Sequence, residues 1–229
     1  MRAVVVALAL LVSSTAGASA ATWSAKDPRA DVRGTRLQID VAARGKACDG
    51  PHGYRVSSDR RRDITSLTVD HGADVVVITV GLRDVARPDA NTSYDLHVRT
   101  PTAAYQLDVL RGVDPLRGGD DPGVYVFFSK EPDYPSPGQI KDCEFATSAV
   151  GLPCDGLVGD VDVRRDEVLV TIPRRCLREP GWVRVAAESF GSTRLTKDGH
   201  ITIFGDFWAP RGVQRHGFLP PFGPRVHSG

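Results

Sequence analysis

No excess charge of either sign, no long apolar run after residue 20 and no sustained helical periodicity mark this 229-residue chain, and each lack removes a class of function. Its 29 basic residues face 28 acidic ones. Nucleic acid and anionic membrane surfaces both require a basic face, so neither is an expected partner. A membrane-spanning helix takes about 20 apolar residues, and no segment of the expected mature chain supplies them. The six histidines, His52, His71, His97, His200, His216 and His227, are scattered, without a His-x-His or His-Glu-x-x-His pair. No serine sits in a Gly-x-Ser-x-Gly elbow; Gly191-Ser192 follows Phe190 and lacks the strand-to-helix context of a hydrolase. Acidic residues are so numerous that a glycosidase-like pair can be nominated anywhere, and Glu131, Glu144, Glu167, Glu179 and Glu188 carry no distinguishing context. No catalytic residue is therefore assigned.

What the chain does have begins with an export signal over residues 1–20. Arg2 gives the positive start, Val4 to Val12 the short apolar core, and Ala18-Ser19-Ala20 the small-residue cleavage site. Removing it takes away Arg2 and leaves 28 basic against 28 acidic residues. The expected product is secreted, and all four cysteines, Cys48, Cys143, Cys154 and Cys176, lie in it. An even thiol count in an exported chain points to disulfides rather than to a thiol enzyme or a metal cluster. Cys154 and Cys176 flank the hairpin-like stretch Val158–Ile172 and are expected to clip its ends, which leaves Cys48 with Cys143. The rival pairing is Cys143 with Cys154 and Cys48 with Cys176.

Short β-branched runs recur from Asp27 to Phe204 with no linker between them, so residues 21–204 read as one domain. In Val75–Leu82 the residues Val76, Ile78, Val80 and Leu82 share one face while Thr79 and Gly81 fall on the other, which is strand periodicity. His71-Gly72-Ala73-Asp74 precedes that run as a hairpin turn. Further strands are expected at Leu37–Val41, Ile64–Val69, Tyr94–Arg99, Tyr105–Leu110, Val124–Phe128, Val161–Val163, Glu167–Ile172, Trp182–Ala187 and His200–Phe204. Nine to ten short strands without intervening helices predict an all-β fold, an antiparallel β-sandwich. Residues 205–229 hold five glycines and four prolines and predict an irregular tail, yet Phe207, Trp208, Phe218, Leu219 and Phe222 make it apolar enough to strap along the sandwich or dock on a partner.

Candidate site residues fall in four groups. Asp27, Asp31, Asp59 and Asp63 could converge before the Ile64 strand, and hard carboxylate oxygens suit a structural calcium ion; the interspersed Arg29, Arg33, Arg60, Arg61 and Arg62 offer ion pairs instead. Gly118-Gly119-Asp120-Asp121-Pro122-Gly123 reads as a solvated turn. Histidines His71, at the turn, and His97, in mid-strand, read as structural. Tyr134, in the proline-rich loop Pro132–Pro137, is the first choice for a recognition surface, with Tyr125 and Trp182 as further binding candidates; core packing is the more ordinary reading of Trp182.

Three stretches resemble a group of small exported bacterial β-sandwich proteins of unassigned activity. They are Ala25–Asp31, Arg62–His71, and Ile172–Leu177 running on to Pro180–Val185. The acidic opening and the Asp63-Ile64 strand start are also distantly similar to carbohydrate-binding family 9 and DOMON-type modules. That resemblance implies a non-catalytic binding module for a glycan or cell-envelope component. An extracellular hydrolase and an inhibitor-like protein-binding module are the alternatives.

Overall fold

The computed structural model describes residues 20–27, 32–38, 52–56, 62–85, 92–112, 123–131, 150–192, 200–209 and 220–229. Among these, thirteen strands follow in order: β1 Ala21–Lys26, β2 Arg33–Gln38, β3 His52–Val56, β4 Ile64–His71, β5 Val75–Leu82, β6 Thr92–Arg99, β7 Ala104–Gly112, β8 Gly123–Lys130, β9 Val158–Asp162, β10 Glu167–Pro173, β11 Trp182–Ser192, β12 His200–Phe207 and β13 Val226–His227. The smaller sheet has the order β1-β4-β5-β10-β9. The larger runs β3-β2-β12-β11-β6-β7-β8, with β13 added beside β11. The pairings are antiparallel, and the two sheets pack face to face as the expected β-sandwich, with more strands than the nine or ten read from the sequence. Among the described residues no helix is long and apolar enough to cross a membrane.

Alternation builds the core. Val76, Ile78 and Val80 of β5 face Leu96 and Val98 of β6, Leu107 and Val109 of β7, and Val168, Val170 and Ile172 of β10 within one buried cluster. Each such side chain stabilises the fold by roughly 1.5–3 kcal/mol when fully removed from water. Tyr105 and Phe128 stack across β7 and β8 with ring centroids 5.2 Å apart. β1 escaped the sequence reading because its inward positions are Ala21, Trp23 and Ala25, two of them too small to mark an apolar face. The turn between β4 and β5 is Gly72–Asp74, closed by the Gly72 N–H on the Val75 carbonyl at 3.0 Å; His71 belongs to β4.

Cys154 and Cys176 form a disulfide with Cα atoms 5.5 Å apart, clipping the ends of the β9–β10 hairpin and excluding the rival pairing. Closing a 22-residue separation contributes about 3 kcal/mol in the chain-entropy account. Cys48 and Cys143 lie outside the described residues.

In residues 205–209 and 220–229 the chain is more regular than its glycine and proline content predicts. β12 continues to Phe207, and Trp208 is buried edge-to-face on Trp23, centroids 5.2 Å apart. Residues 220–229 then strap the seam between the sheets. Gly223 N–H donates to the Val185 carbonyl at 2.8 Å, β13 pairs Val226 with Val183, and Arg184 holds the Gly223 and Phe222 carbonyls at 2.8 and 3.2 Å. On the other sheet, the buried His71 Nδ1–H donates to the Val226 carbonyl at 2.9 Å, and His71 Nε2 is buried without a partner.

That second nitrogen has nowhere to place a proton. Burial first, then the charges of Arg174 and His227, hold the His71 pKa below its ordinary value despite the Val226 hydrogen bond. The native state therefore binds fewer protons than the unfolded chain below about pH 6.5, so this contribution is complete above that value and is lost as pH falls. The stability gap between the native protein and His71→Asn, measured by urea unfolding, should shrink steadily from pH 8 to pH 5; a gap independent of pH would contradict the assignment.

Candidate functional site

Residues two apart on a strand share a face, so the strands that bury Leu96, Leu107 and Ala187 inward must present their other residues outward. On the larger sheet those are Ser93, Asp95, His97 and Arg99 of β6, Gln106, Asp108 and Leu110 of β7, Arg184, Ala186, Glu188 and Phe190 of β11, and Tyr125, Phe127 and Ser129 of β8. The register aligns them. Phe207 stands opposite Glu188, Glu188 opposite Asp95, Asp95 opposite Asp108, and Asp108 opposite Phe127. Three carboxylates thus form one row across β11, β6 and β7, on strands about 4.8 Å apart, with a phenylalanine at each end.

Like charges directly opposite each other destabilise a sheet, and the next row supplies partial relief. His97 Nε2 lies 2.9 Å from Glu188 Oε1, and Gln106 Nε2 donates to Asp108 Oδ1 at 2.6 Å. Ser93 hydrogen-bonds Asp95, whose Oδ1 remains buried without a partner. Burial, followed by the charges of Asp108 and Glu188, pushes the Asp95 pKa well above the ordinary carboxylate value. Asp108 is raised by burial and by Glu188, against the hydrogen bond from Gln106 and the charge of His97. Glu131, just past β8, is raised by burial, against His97 and Arg99. Among the described residues no group of three or more His, Cys, Asp or Glu side chains is placed to hold a metal ion.

One end of this row opens outward. Residues Val150–Leu152 run along β8, through Leu152 N–H on the Phe128 carbonyl at 2.8 Å and Lys130 N–H on the Val150 carbonyl at 3.2 Å. Beside them is a depression of about 480 Å³ lined by Asp108, Phe127, Ser129, Gly151, Leu152 and Pro153 together with Val126 and Phe128. Asp108 is the carboxylate that joins the buried row to this opening.

The acidic residues proposed for calcium do not share a partner where they are described. Asp27 Oδ2 accepts the Ala209 N–H at 2.9 Å, and Asp63 pairs with Arg83. Asp31 and Asp59 lie outside the described residues, as does Tyr134. Tyr125 is on the face with the row, opposite Leu110, its ring over Gly123. Trp182 points away from the core, under the Arg225 guanidinium at 4.6 Å, and sits six residues, about 20 Å, along β11 from Glu188. The sequence reading missed Asp95, Asp108, Glu188 and Phe127. The signal available was the alternation of Asp95-x-His97-x-Arg99 and Gln106-x-Asp108 within otherwise apolar strands; the partnership with β11 is not local.

No protein family, curated protein or solved structure matches the chain. The likeness to carbohydrate-binding modules rests on the acidic opening and the Asp63-Ile64 strand start in the sequence alone.

The raised Asp95 pKa sets a sign. Between the ordinary aspartate value and the raised one, the native state binds more protons than the unfolded chain, so stability falls as pH rises through that window. Asp95→Asn removes the ionisation, and its stability advantage over the native protein in urea unfolding should grow from pH 4 to pH 8. A loss of stability that grows over the same range would show that the ionised aspartate is needed.

Proposed function

We propose that the protein is an exported, non-catalytic binding module that takes a glycan or related cell-envelope polyol in the depression beside β8. The observation that carries this is the composition of one wall. The flat ring of Phe127 offers a surface for the C–H face of a sugar, while the Asp108 carboxylate and the Ser129 hydroxyl offer hydrogen bonds to its hydroxyl groups. Ligand sites commonly occupy about 300–1,000 Å³, and the 480 Å³ here falls in that range. The distant resemblance to carbohydrate-binding modules supports the same class. Secretion, read from residues 1–20, would bring the site to such ligands.

A hydrolase of extracellular polymers is the second reading, and the acidic row favours it. Carboxyl groups whose environments separate their pKa values are what an acid–base pair requires. Against it, Asp108 is the one carboxylate lining the depression among the described residues, whereas glycoside cleavage needs two flanking the scissile bond. The test is a glycan panel followed by calorimetry. Phe127→Ala and Asp108→Asn should each weaken binding of a retained glycan by tenfold or more, about 1.4 kcal/mol. Release of reducing ends from a polymer, abolished by Asp108→Asn, would establish the hydrolase instead. Retention of no glycan would overturn the binding reading.

A further inference from the structure

We infer that residues 220–229 form an acid-released clasp: protonation of the buried His71 imidazole frees this strap from the seam while the two sheets stay folded. No residue of the strap lines the depression beside β8, so the inference is independent of the proposed ligand.

The strap is held by few ties. β13 contributes two residue pairs, Trp182 with His227 and Val183 with Val226. Outside them, Gly223 N–H bonds the Val185 carbonyl, Ser228 N–H the Gly181 carbonyl at 3.2 Å, and Gly229 N–H the His71 carbonyl at 3.3 Å. Val226 supplies its side chain to the core cluster, Gly223 lies against the Trp23 ring, and Arg225 covers Trp182. β5, by contrast, is paired along its length with β4 on one side and β10 on the other. Segments with few buried contacts open locally at much lower cost than central strands.

The tie that titrates joins the strap to the smaller sheet. His71 reaches it from β4, its ring fully buried, with Nδ1–H on the Val226 carbonyl. That bond leaves the neutral ring with a bare Nε2, which is buried without a partner. A proton added there puts a charge in the interior with no acceptor. The neighbouring strands supply no relief, for His71 stands opposite Ala21 of β1 and Val76 of β5. The charges that act on it are both positive: Arg174, after β10, and His227, on the strap. Arg174 has Glu179 at 3.6 Å, and Arg184 of β11 is turned to the Gly223 and Phe222 carbonyls. Asp70, the preceding residue, alternates to the outer face and takes the Thr22 hydroxyl, while Asp74 in the turn gives its carbonyl to Arg174 N–H.

Lifting the strap answers both costs. Water reaches Nε2, and the His227 charge moves away with the segment. With the strap in place the His71 pKa is held below its ordinary value; with the strap lifted it returns toward about 6.5. The clasp is therefore fully closed above that pH and weakens as pH falls toward the lowered value.

Amide hydrogen exchange on the mature full chain, expressed as protection relative to the intrinsic rate at each pH, tests this between pH 7.5 and pH 5. Protection of the Gly223 and Ser228 amides should fall severalfold or more while that of Ile78 and Val80 in β5 holds. His71→Asn keeps an N–H donor but does not titrate, so the strap response should disappear. His227→Gln removes a facing charge and should retain the response at reduced size. Gly223→Leu drives a side chain into Trp23 and loosens the strap without touching His71; by reciprocity, the His71 ring followed by proton NMR should then titrate closer to its ordinary value. Strap protection independent of pH, or lost in parallel with β5, would overturn the clasp. So would a response that survives His71→Asn, or an unchanged His71 titration in Gly223→Leu.

Discussion

The register of β11 on β6 is the constraint on which the core and the outer face both depend. β11 is eleven residues long and is flanked by β6 on one side and by β12 and β13 in turn on the other. Its odd-numbered residues Val183, Val185 and Ala187 complete the buried layer, and its even-numbered residues put Glu188 opposite Asp95. A slip of one residue would turn Glu188 into the core and Val185 or Ala187 out to the polar row. The apolar pattern thus selects the register, and the register, not any local motif, assembles the carboxylates.

The same strand anchors the polar seam at one end of the sandwich. Arg62 is buried beneath Gly191, where any side chain would strike its guanidinium, and it donates to Thr92 Oγ1 at 3.1 Å. The Arg62 carbonyl takes the Ser189 hydroxyl, and the Ile64 N–H donates to Asp206 at 2.7 Å. Buried polar groups cost stability unless bonded. These ties fasten the start of β4 to β11, β6 and β12, so the two sheets are joined by hydrogen bonds as well as by apolar contact.

Much of this was legible in the residues, and the limits have physical causes. β5, β6, β7 and β10 declare themselves because alternation of Val, Ile and Leu with small or polar residues is a local pattern. The β9–β10 clip was legible because its cysteines flank the hairpin. β1 and β13 were not, since Ala21, Ala25 and a two-residue strand carry too little apolar signal. Trp182 defeated the usual expectation of burial because the alternation of β11 gives the inward positions to Val183 and Val185. Least legible was the row itself, whose His97–Glu188 contact joins residues 91 apart in the chain. Asp95 and Glu188 each look like ordinary surface acids until the sheet is assembled.

A row of carboxylates held in register should not ionise as separate surface groups. Carbon-13 NMR titration of the side-chain carboxyls, assigned through Asp95→Asn and Asp108→Asn, measures this most directly. The account predicts that Asp95 and Asp108 both titrate above the ordinary aspartate value of about 3.9, and that substituting either one shifts the titration of the other downward. Two independent curves at the ordinary value, each indifferent to loss of the other residue, would contradict it.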